Sequence, residues 1–299
     1  MQIGVQPREV DVMAGVNEAA DERERQLERL YETLRCRQPK RRVQRLVEFA
    51  RHFYATAART DLKEWRLDDL YGATIACWQF LQEYSGDSAK VRVFNPQVEE
   101  HGWQSTHTVI ALLHTDMPFI VDSVRILLNR RNLTIHAIHS AVLAVRRSER
   151  HQLRQLLPLD SRARKLSREM LVSIEVDRHT DPAQLADLEQ ALAFLLAEVR
   201  VVVEDFDAML ERAGRLIEEM RQIPAQFDAA DMREAAEFIR WLRHHFTFLG
   251  YDEYQLVEKP GASVLEPVEG SQLGLLKICD ENLRSELIQG ASGRRGTSR

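Results

Sequence analysis

A chain of 299 residues, 44% of them hydrophobic, has enough apolar side chain for two domains or for one domain with long helical flanks. Its charged residues, 29% of the total, nearly balance at a net charge of −5, which argues against a nucleic-acid partner. No apolar run approaches the roughly 18 to 20 residues that span a bilayer. Met1 to Val10 lacks the apolar centre of a secretion signal, so the reading is of a cytoplasmic protein without membrane contact.

Residues 1–20, with Gly4, Pro7 and Gly15 and few large apolar groups, read as a mobile leader. From Asp21 the pattern becomes helical. Leu27, Leu30, Tyr31 and Leu34 recur at three- and four-residue spacing until Pro39 interrupts. A second helix is expected from about Lys40 to Ala58, on Val43, Leu46, Val47 and Ala50, and a third from about Asp68 to Tyr84, on Leu70, Tyr71, Ile75, Trp78 and Leu81. Residues 21–88 therefore form a helical segment that needs a partner to pack against.

After Ser85-Gly86-Asp87-Ser88 the periodicity changes, and Lys90 to Phe94 reads as a short strand. Ser105 to Thr115 is β-branched and apolar over strand length. A helix follows, with Asp116 as its expected cap, Pro118 in its first turn, and Ile120, Val124, Leu127 and Leu128 on one face. Leu133 to Arg146 is the next strand region, kinked near Ser140; residues 147–168 read as an extended hairpin insertion, and Met170 to Asp177 as a strand.

Asp181-Pro182 opens a helix lined by Leu185, Leu188, Leu192, Leu195, Leu196 and Val199, and Arg200 to Phe206 (RVVVEDF) reads as the last strand. Strand, helix, strand, strand, helix, strand is the ferredoxin-like order, so the fold class is α+β, with a βαββαβ domain over residues 89–206. Residues 207–245 read as a helical linker. Its second helix would open on a capping box of Asp231 with Glu234 and be lined by Ala235, Phe238, Trp241 and Leu242. Residues 246–299 read as the start of a second, incomplete domain and a flexible basic tail, with Phe246 to Val257 strand-like.

Two stretches carry a resemblance. His114-Thr115-Asp116-Met117-Pro118-Phe119-Ile120-Val121-Asp122-Ser123-Val124, continued by Leu128 to His136, resembles the first ACT-like domain of the large bacterial NAD-specific glutamate dehydrogenases. His245-Phe246-Thr247-Phe248-Leu249-Gly250-Tyr251 resembles a second signature of the same family, in the same order. The resemblance implies a regulatory and assembly region of a cytoplasmic, homo-oligomeric enzyme. That enzyme would convert L-glutamate, NAD and water to 2-oxoglutarate, ammonia and NADH, with its catalytic region further along the same polypeptide. The other reading is a free-standing ACT-type small-molecule sensor or adaptor.

No GxGxxG follows a strand, so no NAD site is expected within these residues, and no catalytic grouping emerges from spacing. Cys36, Cys77 and Cys279 are far apart, and the histidines lack the ligand count of a metal site. Leu171 to Val176 carries none of the aromatic residues that an RNA-stacking sheet requires.

In ACT domains the turn after the first strand usually carries a small residue, so that an amino-acid ligand can approach the backbone; here that position is Phe119. Its ring would fill the ligand space or pack into the core. Asp116, Met117, Pro118 and Phe119 thus serve as turn and cap, or they bind an amino-acid effector whose carboxylate meets the helix amides with Asn132 or His136 nearby.

Overall fold

Three helices come first in the computed structural model, which describes residues 8–55, 65–220, 222, 228–259 and 262–279, the side chains of 8–21, 262 and 263 excepted. They are α1 (Arg8–Arg37), α2 (Lys40–Phe53) and α3 (Leu67–Leu81). Helix α1 already runs through residues 8–20, where the composition led us to expect a mobile leader; residues 1–7 and the tail from 280 lie outside the described residues. The apolar stripes meet as their spacing requires. Leu30 and Leu34 of α1, Leu46, Phe49 and Phe53 of α2, and Leu70, Trp78 and Leu81 of α3 bury into one cluster, with Phe49 and Phe53 stacked at 5.4 Å.

The partner of this helical layer is a five-stranded antiparallel sheet. Its elements are β1 (Lys90–Phe94), the short helix α4 (Val98–His101), β2 (Thr108–Thr115), α5 (Ile120–Arg130), β3 (Ile135–Arg147), β4 (Leu153–Leu157) and β5 (Ser167–Val176). Helix α6 (Pro182–Met220) follows, and the strand order is β1-β2-β5-β3-β4. The insertion 147–168 is a hairpin whose return strand β4 pairs with β3, and β3 runs through Ser140 as one strand rather than kinking there.

The α+β, ACT-like class stands, but its last strand does not come from residues 200–206. That segment is helical, part of α6. Three consecutive valines favour a strand locally, yet Leu188, Leu192, Leu196, Val199, Val202, Met209, Ala213 and Ile217 are buried at helical spacing, so the apolar stripe continues straight through. The place beside β2 goes instead to β1, antiparallel to it, with Val93 opposite Ile110 and Val91 opposite Leu112.

Every residue of β2 from Thr108 to His114 is buried, because both faces of the sheet are covered. Leu113, Ala141, Leu143, Val145 and Leu171 join the α1–α3 cluster. Val91 and Val93 share the other face with Leu112 and Ile110, and there they line a groove with Leu185, Ala186 and Glu189 of α6. The Glu189 carboxylate accepts the Val93 N–H at 2.8 Å, which occupies a backbone donor on the outer edge of β1.

The chain divides into two compact units, residues 1–195 and 196–299, a division that falls inside α6 and at none of the expected boundaries. The second unit contains the C-terminal part of α6, then α7 (Ala229–His245), β6 (Gly250–Tyr251), β7 (Tyr254–Lys259), β8 (Ala262–Pro267), β9 (Leu273–Gly274) and α8 (Leu275–Ile278). Helix α7 is capped by Asp228, whose side chain accepts the Ala230 N–H at 2.7 Å, and not by Asp231. Ala236 is its buried residue, whereas Phe238 and Trp241, expected to line the buried face, are 57% and 47% exposed.

Phe246 to Leu249 are not in a strand. The second signature instead places Gly250 opposite Gly274, where β6 pairs β9. Asp205 accepts the Gly274 N–H at 2.9 Å, and Asp252 accepts from Ser271, Gln272 and Tyr254. These bonds hold the small strands where little apolar surface is buried.

Candidate functional site

Strand β2 ends at Thr115, and the chain turns through Asp116-Met117-Pro118 to reach α5. The Asp116 N–H bonds the Arg168 carbonyl at 2.9 Å, which ties the turn to the start of β5. Phe119, not Asp116, is the residue before the helix. Its backbone is left-handed at φ 71°, it accepts the Ser123 N–H at 2.9 Å, and no side chain caps α5. The amides of a first helical turn have no acceptor within the helix, and their partial positive charge favours an anion.

The Phe119 ring neither packs into the core nor is enclosed: at 46% exposed, it borders a shallow depression of about 460 Å³. Asp116, Met117, Pro118, Ile120, Val121, Asp122 and Met170 form the rest of the lining.

Asn132 and His136 are at the other end of α5, whose 11 residues cover about 16 Å at 1.5 Å per residue. The six residues singled out by sequence are thus divided. Asn132, at φ 56°, stops the helix: its N–H bonds the Asn129 carbonyl at 3.0 Å, and the Leu133 N–H bonds that of Leu128 at 3.0 Å. Asparagine tolerates this left-handed position because its short side chain costs little there.

His136 belongs to a cluster that sequence reasoning missed. Its Nε2 donates to Asp177 Oδ1 at 2.8 Å, and its ring stacks on His107 with centroids 4.1 Å apart. His107 Nδ1 donates to Glu175 Oε2 at 3.2 Å. Hydrogen bonds from Thr134, and then from His136, hold the Asp177 carboxyl at about 2, far below the usual range. Burial pushes the Glu175 carboxyl up, opposed by His107 and Ser105. The alternation of Glu175 and Asp177 was visible as a strand signal, but only register with β2 and β3 gives them histidine partners.

Among the described residues no group of three or more His, Cys, Asp and Glu side chains is arranged to hold a metal ion, and no helix is long and apolar enough to cross a membrane. Cys77 is buried and its thiol is pushed up to about 12 by that burial, so it stays protonated.

Comparison with known proteins points to a family. Residues 49–192 match the family model described as glutamate dehydrogenase, ACT1 domain. The NAD-specific glutamate dehydrogenase of Halomonas elongata is 49% identical over 263 residues, which cover 87% of this chain and 16% of that protein. That of Pseudomonas aeruginosa is 38% identical over 239 residues, 80% of this chain and 15% of the relative. That of Mycobacterium tuberculosis is 28% identical over 180 residues, 58% and 11%. The chain therefore spans about one sixth of the length of the first two relatives.

Proposed function

Because the chain belongs to the glutamate dehydrogenase family and carries its ACT1 domain in residues 49–192, we propose that it is the regulatory and assembly region of an NAD-dependent glutamate dehydrogenase. The observation that carries this reading is the 263-residue match at 49% identity to a protein in which it amounts to only 16% of the length. The reaction is the oxidative deamination of L-glutamate to 2-oxoglutarate and ammonia, with NAD as hydride acceptor. Its catalytic region and NAD site belong to another part of the same polypeptide, in the cytoplasm, in a homo-oligomer.

The β2–α5 turn is the effector site on this reading. Asp116 to Phe119 and Met170 surround a depression at a helix N-terminus, and the acidic Asp116 and Asp122 suit an ammonium better than a second carboxylate. A neutral amino acid fits this charge pattern. The effector then biases two states of the region, and the catalytic part reads that bias.

The test compares the full-length enzyme with a form lacking residues 1–299. Both are assayed for NAD-dependent glutamate oxidation across a panel of neutral amino acids, with mass measured on a sizing column. The reading expects the intact enzyme to respond to an amino acid, and the shortened form to lose both that response and its oligomeric state. A full-length protein without glutamate oxidation, or a shortened form with response and assembly intact, overturns it.

A further inference from the structure

From the end of β3 to the start of β5, residues 146–168 hold eight arginines and lysines against two acids, Glu149 and Asp160. Their net charge is +6 in a chain whose total is −5. Arg147 is paired with Glu169, Arg146 donates to the Gln155 side chain at 3.3 Å, and Arg168 donates to the Leu159 carbonyl at 3.1 Å. Arg150, Arg154, Arg162, Arg164 and Lys165 are exposed, and none of them has an acidic partner among the described residues.

The β4–β5 connection is tied in place. The Ser161 N–H bonds the Pro158 carbonyl at 3.0 Å, the Ala163 N–H bonds the Ser161 hydroxyl at 3.3 Å, and the Arg168 bond fastens its start. Cations held in this way lose less freedom on binding than a loose chain does. Since β4 is an edge strand, charge on it hinders pairing with other strands, which accounts for Arg154. Arg162, Arg164 and Lys165 follow outside any strand and have no edge to guard.

Seven of the eight cations are arginines, which suits bidentate binding of carboxylate or phosphate. Residues 146–168 include no Phe, Tyr or Trp on which a base could stack, and Leu159 is the large apolar residue exposed among them, too little for a membrane surface. A protein surface rich in carboxylates fits best.

The chain itself carries one. Glu204, Asp207 and Glu211 project from one side of α6 at three- and four-residue spacing, opposite the buried Val202, Met209 and Ala213. All three are exposed, and none has a cationic partner among the described residues; Arg200 and Arg215 lie one turn beyond the two ends. Asp207 and Glu211 are about 6 Å apart along the helix axis, and Arg162 and Arg164 are at most about 7 Å apart along the chain, so each guanidinium can reach its own carboxylate.

We propose that the basic segment 146–168 docks on the acidic stripe of α6 in a second copy of this chain. A two-fold axis makes the contact reciprocal, each copy giving its segment and receiving the other's, and closes it at a dimer. The docking deepens the assembly part of the proposed function and rests on that reading. Self-association is read without glutamate oxidation or an effector, so its failure is distinguishable from the failure of that reading.

The experiment is sedimentation velocity on the 299-residue chain over a range of concentrations, from about 0.1 M to about 1 M salt, where the screening length falls from about 10 Å to about 3 Å. The unmodified chain should self-associate, with a dissociation constant that rises about tenfold across this range. One variant carries Arg162→Glu, Arg164→Glu and Lys165→Glu; the other carries Glu204→Lys, Asp207→Lys and Glu211→Lys. Each alone should stay monomeric where the unmodified chain is dimeric, and their equimolar mixture should associate again, the acidic segment of the first meeting the basic stripe of the second. A monomeric unmodified chain, including one that binds a DNA duplex instead, overturns the proposal, as does association that neither variant weakens or a mixture as monomeric as its components. Should a variant fail to fold, self-association of the unmodified chain that ignores salt overturns it equally.

Discussion

Arg147 on β3 and Glu169 on β5 are joined by two parallel hydrogen bonds, Nε to Oε1 and Nη2 to Oε2, each 2.7 Å, with the carboxylate almost wholly out of water. The guanidinium also donates to the carbonyls of Leu81 at 2.9 Å and His151 at 2.9 Å, and so fastens the end of α3 and the β3–β4 hairpin to the sheet. Lys90 reaches the same helix end, donating to the Phe80 carbonyl at 2.8 Å. Two cations thus satisfy carbonyls at the C-terminus of α3, where the helix dipole favours positive charge.

Arg147→Met should destabilise the first unit by about 3–5 kcal/mol, because it leaves the Glu169 charge buried without its partner. Glu169→Leu added to it should recover a large part of that loss. Urea denaturation of the single and double variants measures both. A single variant as stable as the parent would mean that the pair is solvated in solution.

Gly72 is in α3 with its Cα against Trp103, and a Cβ built there collides with the indole's Cβ. Gly72→Ala removes a helix-interior glycine, worth about 1 kcal/mol in favour of the variant, but the collision forces α3 or the Trp103 segment to move at about 1–3 kcal/mol. The variant should be the less stable, with a shifted tryptophan emission maximum. Thermal unfolding followed by fluorescence reads both effects.

Acid sensitivity separates the two carboxylates of the histidine cluster by sign. Asp177 is held at about 2, so its contribution to stability is present above its unfolded value near 3.9 and is lost as pH falls toward 2. Glu175 is raised by burial, so its contribution is full below its unfolded value near 4.3 and is lost as pH rises through the raised folded value. Asp177→Asn should flatten the stability profile between about pH 4 and 2, whereas Glu175→Gln should flatten it above about 4.3. Denaturant midpoints measured from pH 2 to 8 distinguish these windows.

Val124 of α5 is fully buried, and an aspartate there has no partner for its charge. Val124→Asp should unfold the first unit at ordinary temperature. Pro118→Ala, in the exposed turn before α5, should change stability by no more than about 0.5 kcal/mol. Circular dichroism melts of the pair test the helix register.

The amphipathic helices and the strands from Lys90 to Val176 were legible because each carries its signal locally: apolar spacing of three and four, β-branched runs, proline and glycine stops. Residues 200–206 were misread for the same reason. A valine run taken alone favours a strand, and only the stripe shared with the rest of α6, which must stay buried along its length, makes it a helix.

The β2–α5 turn could be found from Asp116-Met117-Pro118-Phe119, since a turn's residue types determine where a strand stops. Its joining to Arg168, and the separation of Asn132 and His136 from it, required the folded path of the chain.

Sequence by itself pointed to the family, to most of the element types and to the turn. Tertiary structure decided which strand takes the place beside β2, that α1–α3 cover one face of the sheet, and that His107 and His136 stack beside Glu175 and Asp177. The physical reason is range. Propensity and periodicity act between residues a few positions apart, whereas tertiary contacts join residues as far as 96 positions apart, as between Val93 and Glu189.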